Sequence, residues 1–259
     1  WGLADFRRAV ERRLGRPLTD PRTLAWHGAD DHLGWHRQSD GDWFLGLPVE
    51  NGRIKDEGDQ LLRTGLREAV QQFRPGVRLT PGQSILLTGI STETRPAVDA
   101  LLRRYAISLA EEVPLVIRSS MACVALPTCG LAVTDAEIAL PRVVRRLHDE
   151  LTRLGLEAET IRVRMTGCPN GCARPYNSEI GLVGRRRGRY DIHLGGSPLG
   201  TRLNVLVAEN VAEQDLITML RPLLVAYRDD RSPGESFGDF CVRVRTVTPF
   251  AASQLEVPA

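Results

Sequence analysis

The sequence has no apolar run near the roughly 20 residues that a membrane-spanning helix needs, which excludes a helical membrane anchor within it. It has almost no net charge of either sign: 34 basic against 32 acidic side chains leave +2, which argues against global steering toward nucleic acid. Lysine is nearly absent. Lys55 is the only one, so the other 33 basic residues are arginines, whose planar forks suit carboxylates. Cysteine is scarce: Cys123, Cys129, Cys168, Cys172 and Cys241. An odd count with no export signal argues against a disulfide framework and leaves metal or redox use. A signal peptide is missing from Trp1-Gly-Leu-Ala-Asp-Phe-Arg-Arg, and so is an initiator methionine. The expectation is a cytoplasmic protein, and a fragment or processed product. Low-complexity segments and short-period repeats are absent as well.

What is present is globular: 42% hydrophobic and 25% charged residues, in a chain long enough for one large domain or two smaller ones. Apolar spacing predicts helices over 3–14, 60–73, 96–108, 135–154 and 213–227. Pro75-Gly76 stops the second of these, Gly155 caps the fourth, and Pro141 marks a kink or a first turn within it. Residues 43–54 read as a strand followed by a turn at Asn51-Gly52, and further strands are predicted at 84–90, 113–120 and 160–166. A hairpin pairs 178–184 with 189–195 across Arg185-Arg186-Arg187-Gly188, a solvated tip. SFGDFCVRV closes the ordered part and residues 247–259 form a loose tail.

The cysteines carry the chemistry. Cys123 and Cys129 form C-x5-C, and Cys168-Pro-Asn-Gly-Cys172 forms C-x3-C. The first loop must fold back if both its thiols serve one centre, and Pro127 and Gly130 supply turn chemistry for that. In the second, Pro169 and Asn170-Gly171 make a tight turn that aims two sulfurs the same way. Four thiolates hold either zinc or an iron–sulfur cube. Wide, unequal spacing favours the cluster over zinc; four unconnected core cysteines are the bland alternative. Cys241 lacks a partner and reads as packing. The histidines show no metal spacing, and His193 reads as packing on a strand face.

MACVALPTCGLAVTDAE (121–137) and MTGCPNGCARPYNSEIGLVG (165–184) resemble the two signatures of the sulfite and nitrite reductase haemoproteins. GRYDIHLGG (188–196), GTRLN (200–204) and GESFGDFC (234–241) continue the match, and 30–54 resembles that family's ferredoxin-like repeat. The resemblance implies an α+β fold: an N-terminal helix and connecting segment (1–29), a ferredoxin-like repeat (30–105), then an α/β sirohaem and 4Fe–4S cluster-binding domain (106–246) before the tail. It also implies that Cys123, Cys129, Cys168 and Cys172 ligate the 4Fe–4S cluster, with Cys172 shared as axial thiolate to the sirohaem.

Asn170 and Thr166 flank the axial position and are candidates to bond a sirohaem carboxylate or a cluster sulfur, although they also suit the turn and the strand end. Arg174 and Arg202 are candidates for the macrocycle's carboxylates. Arg118 and Arg164 precede the cysteine loops and add positive charge there. The implied activity is assimilatory reduction of sulfite to sulfide. Alternatives are nitrite reduction on the same centre, or a non-catalytic iron–sulfur or zinc module. The NGCARP variant resembles the sulfite type, and ARPY resembles members served by ferredoxin rather than by an NADPH flavoprotein. Family members are about twice this length, and this chain resembles their second half. The residues gripping sulfite are therefore expected in a first half that is a partner to this one.

Overall fold

The computed structural model describes residues 2–20, 22 and 31–247. Its elements run α1 (Leu3–Leu14), β1 (Gly34–Arg37), β2 (Trp43–Pro48), β3 (Asp56–Glu57), β4 (Gln60–Leu61), α2 (Leu62–Phe73), β5 (Gly76–Leu79), β6 (Ser84–Ile90) and α3 (Arg95–Arg104). They continue with α4 (Leu115–Arg118), β7 (Met121–Ala122), α5 (Ala139–Leu154), β8 (Val163–Thr166), β9 (Ile180–Arg186), β10 (Arg189–Leu194), β11 (Val205–Ala212), α6 (Leu216–Asp230) and α7 (Phe237–Val247). The fold is α+β, with two sheets that each build their own core.

In the first lobe an antiparallel sheet in the order β1-β2-β6-β5 packs against α2 and α3. Alternation sends Leu45 and Leu47 of β2 inward to meet Ile85 and Leu87 of β6. The register slips between Trp43 and Leu45, where Gly89 sits at φ +71°. That extra residue is a β-bulge, and it turns Ile90 rather than Gly89 into the core. Leu62, Leu66 and Ala69 line the buried stripe of α2, which ends on Arg74 in the left-handed region ahead of Pro75.

The second sheet has the order β11-β10-β9-β8-β7; β7, β8 and β9 run parallel, while β9, β10 and β11 are antiparallel. One face, with Val163, Met165, Leu182, Ile192 and Leu194, is buried under Leu147 and Leu151 of α5 and Leu220 and Leu224 of α6. Period-two alternation gives the opposite face to Arg164, Thr166, Asp191 and His193. A sheet with one apolar and one polar face leaves room for a site on the second.

Several expectations need correction. Residues 113–120 are not a strand. Pro114 opens a single helical turn, Ser120 Oγ closes it on the Val116 carbonyl at 2.5 Å, and strand pairing begins after it, at the two-residue β7. Helix α3 stops at Arg104 because Ala106 takes φ +51°. Helix α5 begins at Ala139, which puts Pro141 in its first turn, where a missing N–H costs nothing. Arg185 and Arg186 belong to β9, facing Asp191, Glu209 and Asn210, so the hairpin tip is only Arg187-Gly188. SFGDFCVRV is mostly helix α7, and Cys241 is buried in the second core. The tail expected at 247–259 lies outside the described residues beyond Val247.

Candidate functional site: the cysteine loops

Parallel pairing decides where the thiols lie. β7 and β8 run side by side, Met121 against Arg164 and Ala122 against Met165, so the loops after both strands leave the same end of the sheet. The Cys123 N–H continues the pairing to the Met165 carbonyl at 3.1 Å. The first loop then folds back on itself. The Cys129 N–H reaches the Ala125 carbonyl at 2.7 Å, and the Leu126 N–H reaches that of Thr134 at 3.3 Å. The Gly167 carbonyl, ahead of the second loop, accepts from Val133 at 2.9 Å and Thr134 at 3.2 Å. The Gly167 N–H donates to Cys123 Sγ at 3.3 Å. The two cysteine loops are thus stitched together through one glycine.

Cys168 is buried, Cys123 and Cys129 are half-buried, and Cys172 is exposed. Burial pushes the Cys123 thiol up; N–H groups of Gly167 and Ala125 oppose this, and nearby Cys172 and Cys168 push it further up. Cys168 and Cys172 therefore lie close enough to act on the Cys123 thiol, and Cys129 closes the same folded-back loop as Cys123. No three His, Cys, Asp or Glu side chains among the described residues converge as a single-ion site. The second loop is tight because Gly171 (φ +69°) and Arg174 (φ +58°) both take left-handed conformations. The Arg174 N–H closes that loop on the Gly171 carbonyl at 2.7 Å.

Thr166 ends β8 fully buried, and its Oγ1 has no hydrogen-bond partner. A buried unpaired hydroxyl carries a desolvation cost of about 1–3 kcal/mol. It is thus a donor held ready beside the cysteine loop. Asn170 is exposed at the turn. Arg174 sends its guanidinium away from the thiols, to the Pro81 carbonyl at 2.7 Å and Met121 Sδ at 3.5 Å. Arg202 pairs with Asp239 at 2.6 Å and donates to the Gly195 carbonyl at 2.8 Å, which occupies its fork. Arg118 sits 3.3 Å from Asp31. His193 packs edge-on against Tyr176 with ring centroids 5.3 Å apart, and burial pushes its pKa down.

Gln83, at the tip of the β5–β6 hairpin, is a contributor that sequence reasoning missed. Its Nε2 donates to the Ala122 carbonyl, one residue before Cys123, at 2.7 Å. Together with the Arg174–Pro81 bond, this clasps the first lobe's hairpin to both cysteine loops. The only local signal was Pro81-Gly82-Gln83, which marks a turn but names no partner.

Residues 36–105 match the nitrite/sulfite reductase ferredoxin-like half domain. The chain is 47% identical over 244 residues to the sulfite reductase [ferredoxin] of Synechococcus elongatus, an alignment covering 94% of this chain and 39% of that protein. It is 45% identical to the sulfite reductase [NADPH] hemoprotein beta-component of Chromohalobacter salexigens, covering 98% of this chain and 44% of that one. The structure of Mycobacterium tuberculosis NirA protein superposes with a TM-score of 0.79 at 25% identity, over 94% of this chain and 46% of that one. The chain belongs to the sulfite/nitrite reductase haemoprotein family, a family of oxidoreductases. It spans about two-fifths of the length of the curated relatives it matches.

Proposed function

We propose that this chain is the cofactor-holding part of an assimilatory sulfite reductase. The observation that carries the reading is the placement of both cysteine loops at one end of the sheet, stitched together through Gly167, with Cys168 and Cys172 close enough to act on the Cys123 thiol. The donor set fits a 4Fe–4S cluster with a sirohaem beside it: four thiols on two stitched loops, backbone N–H groups aimed at sulfur, and an unpartnered buried hydroxyl at Thr166. Cys123, Cys129, Cys168 and Cys172 would hold the cluster, and Cys172, the exposed member, would also serve the sirohaem iron. When bound, that pair of groups supplies the electrons and the iron on which sulfite is reduced to sulfide, a six-electron change.

The chain's own residues do the rest. The Gly167 N–H stabilises charge on Cys123 sulfur, offsetting the burial that favours the neutral thiol. Thr166 Oγ1 donates toward whichever acceptor the cofactor brings against it, and Asn170 holds the turn that presents Cys172. Residues that grip the anion belong, on this reading, to polypeptide outside this chain. The donor is of the ferredoxin class, in keeping with the name of the Synechococcus relative, with which the alignment is 47% identical.

The test is metal and cofactor analysis of the protein in its full natural length. We expect about five iron per chain, four from the cluster and one from the sirohaem, with about four acid-labile sulfide and a sirohaem absorption band. Cys172→Ser should keep iron but lose electronic coupling between the groups. Zinc without sulfide, or full sulfite turnover by Cys172→Ser, would refute the assignment. Assays with sulfite and nitrite, each driven by reduced ferredoxin or by an NADPH flavoprotein, decide substrate and donor.

A further inference from the structure

A cavity of about 360 Å³ opens between the tip of the β5–β6 hairpin and the starts of β7 and β8, within the size range of small-ligand sites. Arg118, Arg162, Arg164 and Arg174 line it. Two are neutralised: Arg118 by Asp31 at 3.3 Å and Arg162 by Glu179 at 3.7 Å. Arg164 and Arg174 have no carboxylate partner among the described residues, and both guanidinium groups close on the same atom, Met121 Sδ. The charge of the exposed Arg174 opposes that of the half-buried Arg164. Burial and the fields of Arg174 and Arg162 together push Arg164 down to about 10, which few guanidinium groups approach. Thioether sulfur is a weak acceptor and compensates neither charge.

Two guanidinium groups that face one cavity without a carboxylate between them suit an oxygen anion, which can accept from both. We propose that this cavity is an anion site, in which Arg164 and Arg174 together hold a small oxyanion of the sulfate or phosphate class. The same chemistry is available from an acidic side chain of polypeptide outside this chain, and the experiment separates the two sources. The cavity faces the beginnings of β7 and β8, whereas the thiols follow their ends, so the inference does not depend on the cofactor assignment. An anion here would also tie the cysteine-loop residue Arg174, already bonded to Pro81, more firmly to the first lobe.

The experiment is thermal unfolding and calorimetric titration of the full-length protein with sodium sulfate, against sodium chloride at matched ionic strength. Arg164→Gln and Arg174→Gln are compared with Arg228→Gln, a surface pair partner of Asp229. If the anion comes from solution, sulfate raises Tm saturably, Arg228→Gln binds normally, and affinity falls at least tenfold in Arg164→Gln and Arg174→Gln. If an acidic side chain fills the cavity, sulfate has no specific effect, yet Arg164→Gln lowers Tm by several degrees because a buried carboxylate loses its partner. The inference fails if sulfate stabilises Arg164→Gln as well as wild type. It fails equally if sulfate does nothing and Arg164→Gln keeps or raises Tm, the sign expected on deleting an uncompensated buried charge.

Discussion

Gly167→Ala is the sharpest perturbation of the cysteine loops. A Cβ on this residue would lie 2.5 Å from Ala125 Cβ, 2.6 Å from the Thr134 carbonyl oxygen and 3.0 Å from Ala132 Cβ. All three belong to the first cysteine loop, and two of the contacts involve short, stiff groups that cannot rotate away. Ordinary contact begins near 3.4 Å, so that loop must retreat by roughly 1 Å. Overpacking of this kind costs about 1–3 kcal/mol. In a domain of this size each kcal/mol lowers Tm by about 2–4 °C, so the expected loss is roughly 2–12 °C. The retreat also moves Cys123 and Cys129 away from Cys168 and Cys172, by several times the roughly 0.2 Å latitude of a metal–ligand bond. The assay is Tm of the cofactor-free full-length protein, together with iron and sulfide per chain after reconstitution. Gly130→Ala is the control: it lies in the same loop with nothing within 4 Å of its built Cβ, and should change neither. A Gly167→Ala protein with wild-type Tm and full iron would show that this contact does not set the loop spacing.

Three further outcomes follow from the same geometry. Thr166→Val removes a buried hydroxyl that has no partner, so the cofactor-free protein should melt at the same or a higher temperature, while the reconstituted protein shows an altered visible spectrum; a lower cofactor-free Tm would contradict the unpaired state. Gln83→Leu deletes the side-chain bond to the Ala122 carbonyl, at a cost of about 1 kcal/mol, and should speed iron loss to a chelator. An unchanged chelation rate would mean the hairpin does not brace Cys123. His193 has its pKa held below the ordinary value by burial, so the unfolded chain takes up a proton first as pH falls. Its contribution to stability is intact above the ordinary histidine pKa of about 6.5 and is lost as pH falls from there through the lower folded value. His193→Gln should flatten that part of the urea-midpoint profile, and an unchanged slope between pH 7 and about 5 would exclude the effect.

The sequence was legible where periodicity is strong. The stripe of Leu62, Leu66 and Ala69, and that of Val143, Leu147, Leu151 and Leu154, revealed α2 and α5 because a buried helical face repeats at a fixed interval. Strand β5 was missed because all four residues, Gly76 to Leu79, are exposed, which erases alternation. Strand β11 was missed for a related reason: only Ala212 of its eight residues is buried. The 113–120 segment reads as a strand by composition, yet Pro114 and two serines favour a turn. The four thiols were visible because paired cysteines around Pro and Gly have few structural uses. Gln83 and the Arg164–Arg174 cavity were not, since Gln83 meets Ala122 across 39 residues and Arg174 meets Pro81 across 93. No local pattern encodes such meetings.

Those long-range contacts determine how the first lobe serves the second. On one side, the β5–β6 tip holds Ala122 and Arg174, at the start of one cysteine loop and the end of the other. On the other side, Arg53 meets Glu137 through two bonds of 2.7 Å, and Asn51 Nδ2 donates to the Glu137 carbonyl at 2.8 Å, just ahead of α5. Arg145 adds a further pair with Glu50 at 3.1 Å. These two clasps are not equal. Exposed ion pairs contribute about 0–1 kcal/mol and weaken with salt. The Gln83 bond ends on Ala122, which is 1% exposed, and leaving a buried carbonyl without it costs more. The hairpin clasp therefore dominates, and it acts directly on the backbone next to Cys123. A ferredoxin-like lobe joined in this way is part of the thiol framework rather than an appended module, and its loss would loosen the loop that carries Cys123 and Cys129 before it disturbed the sheet beneath them.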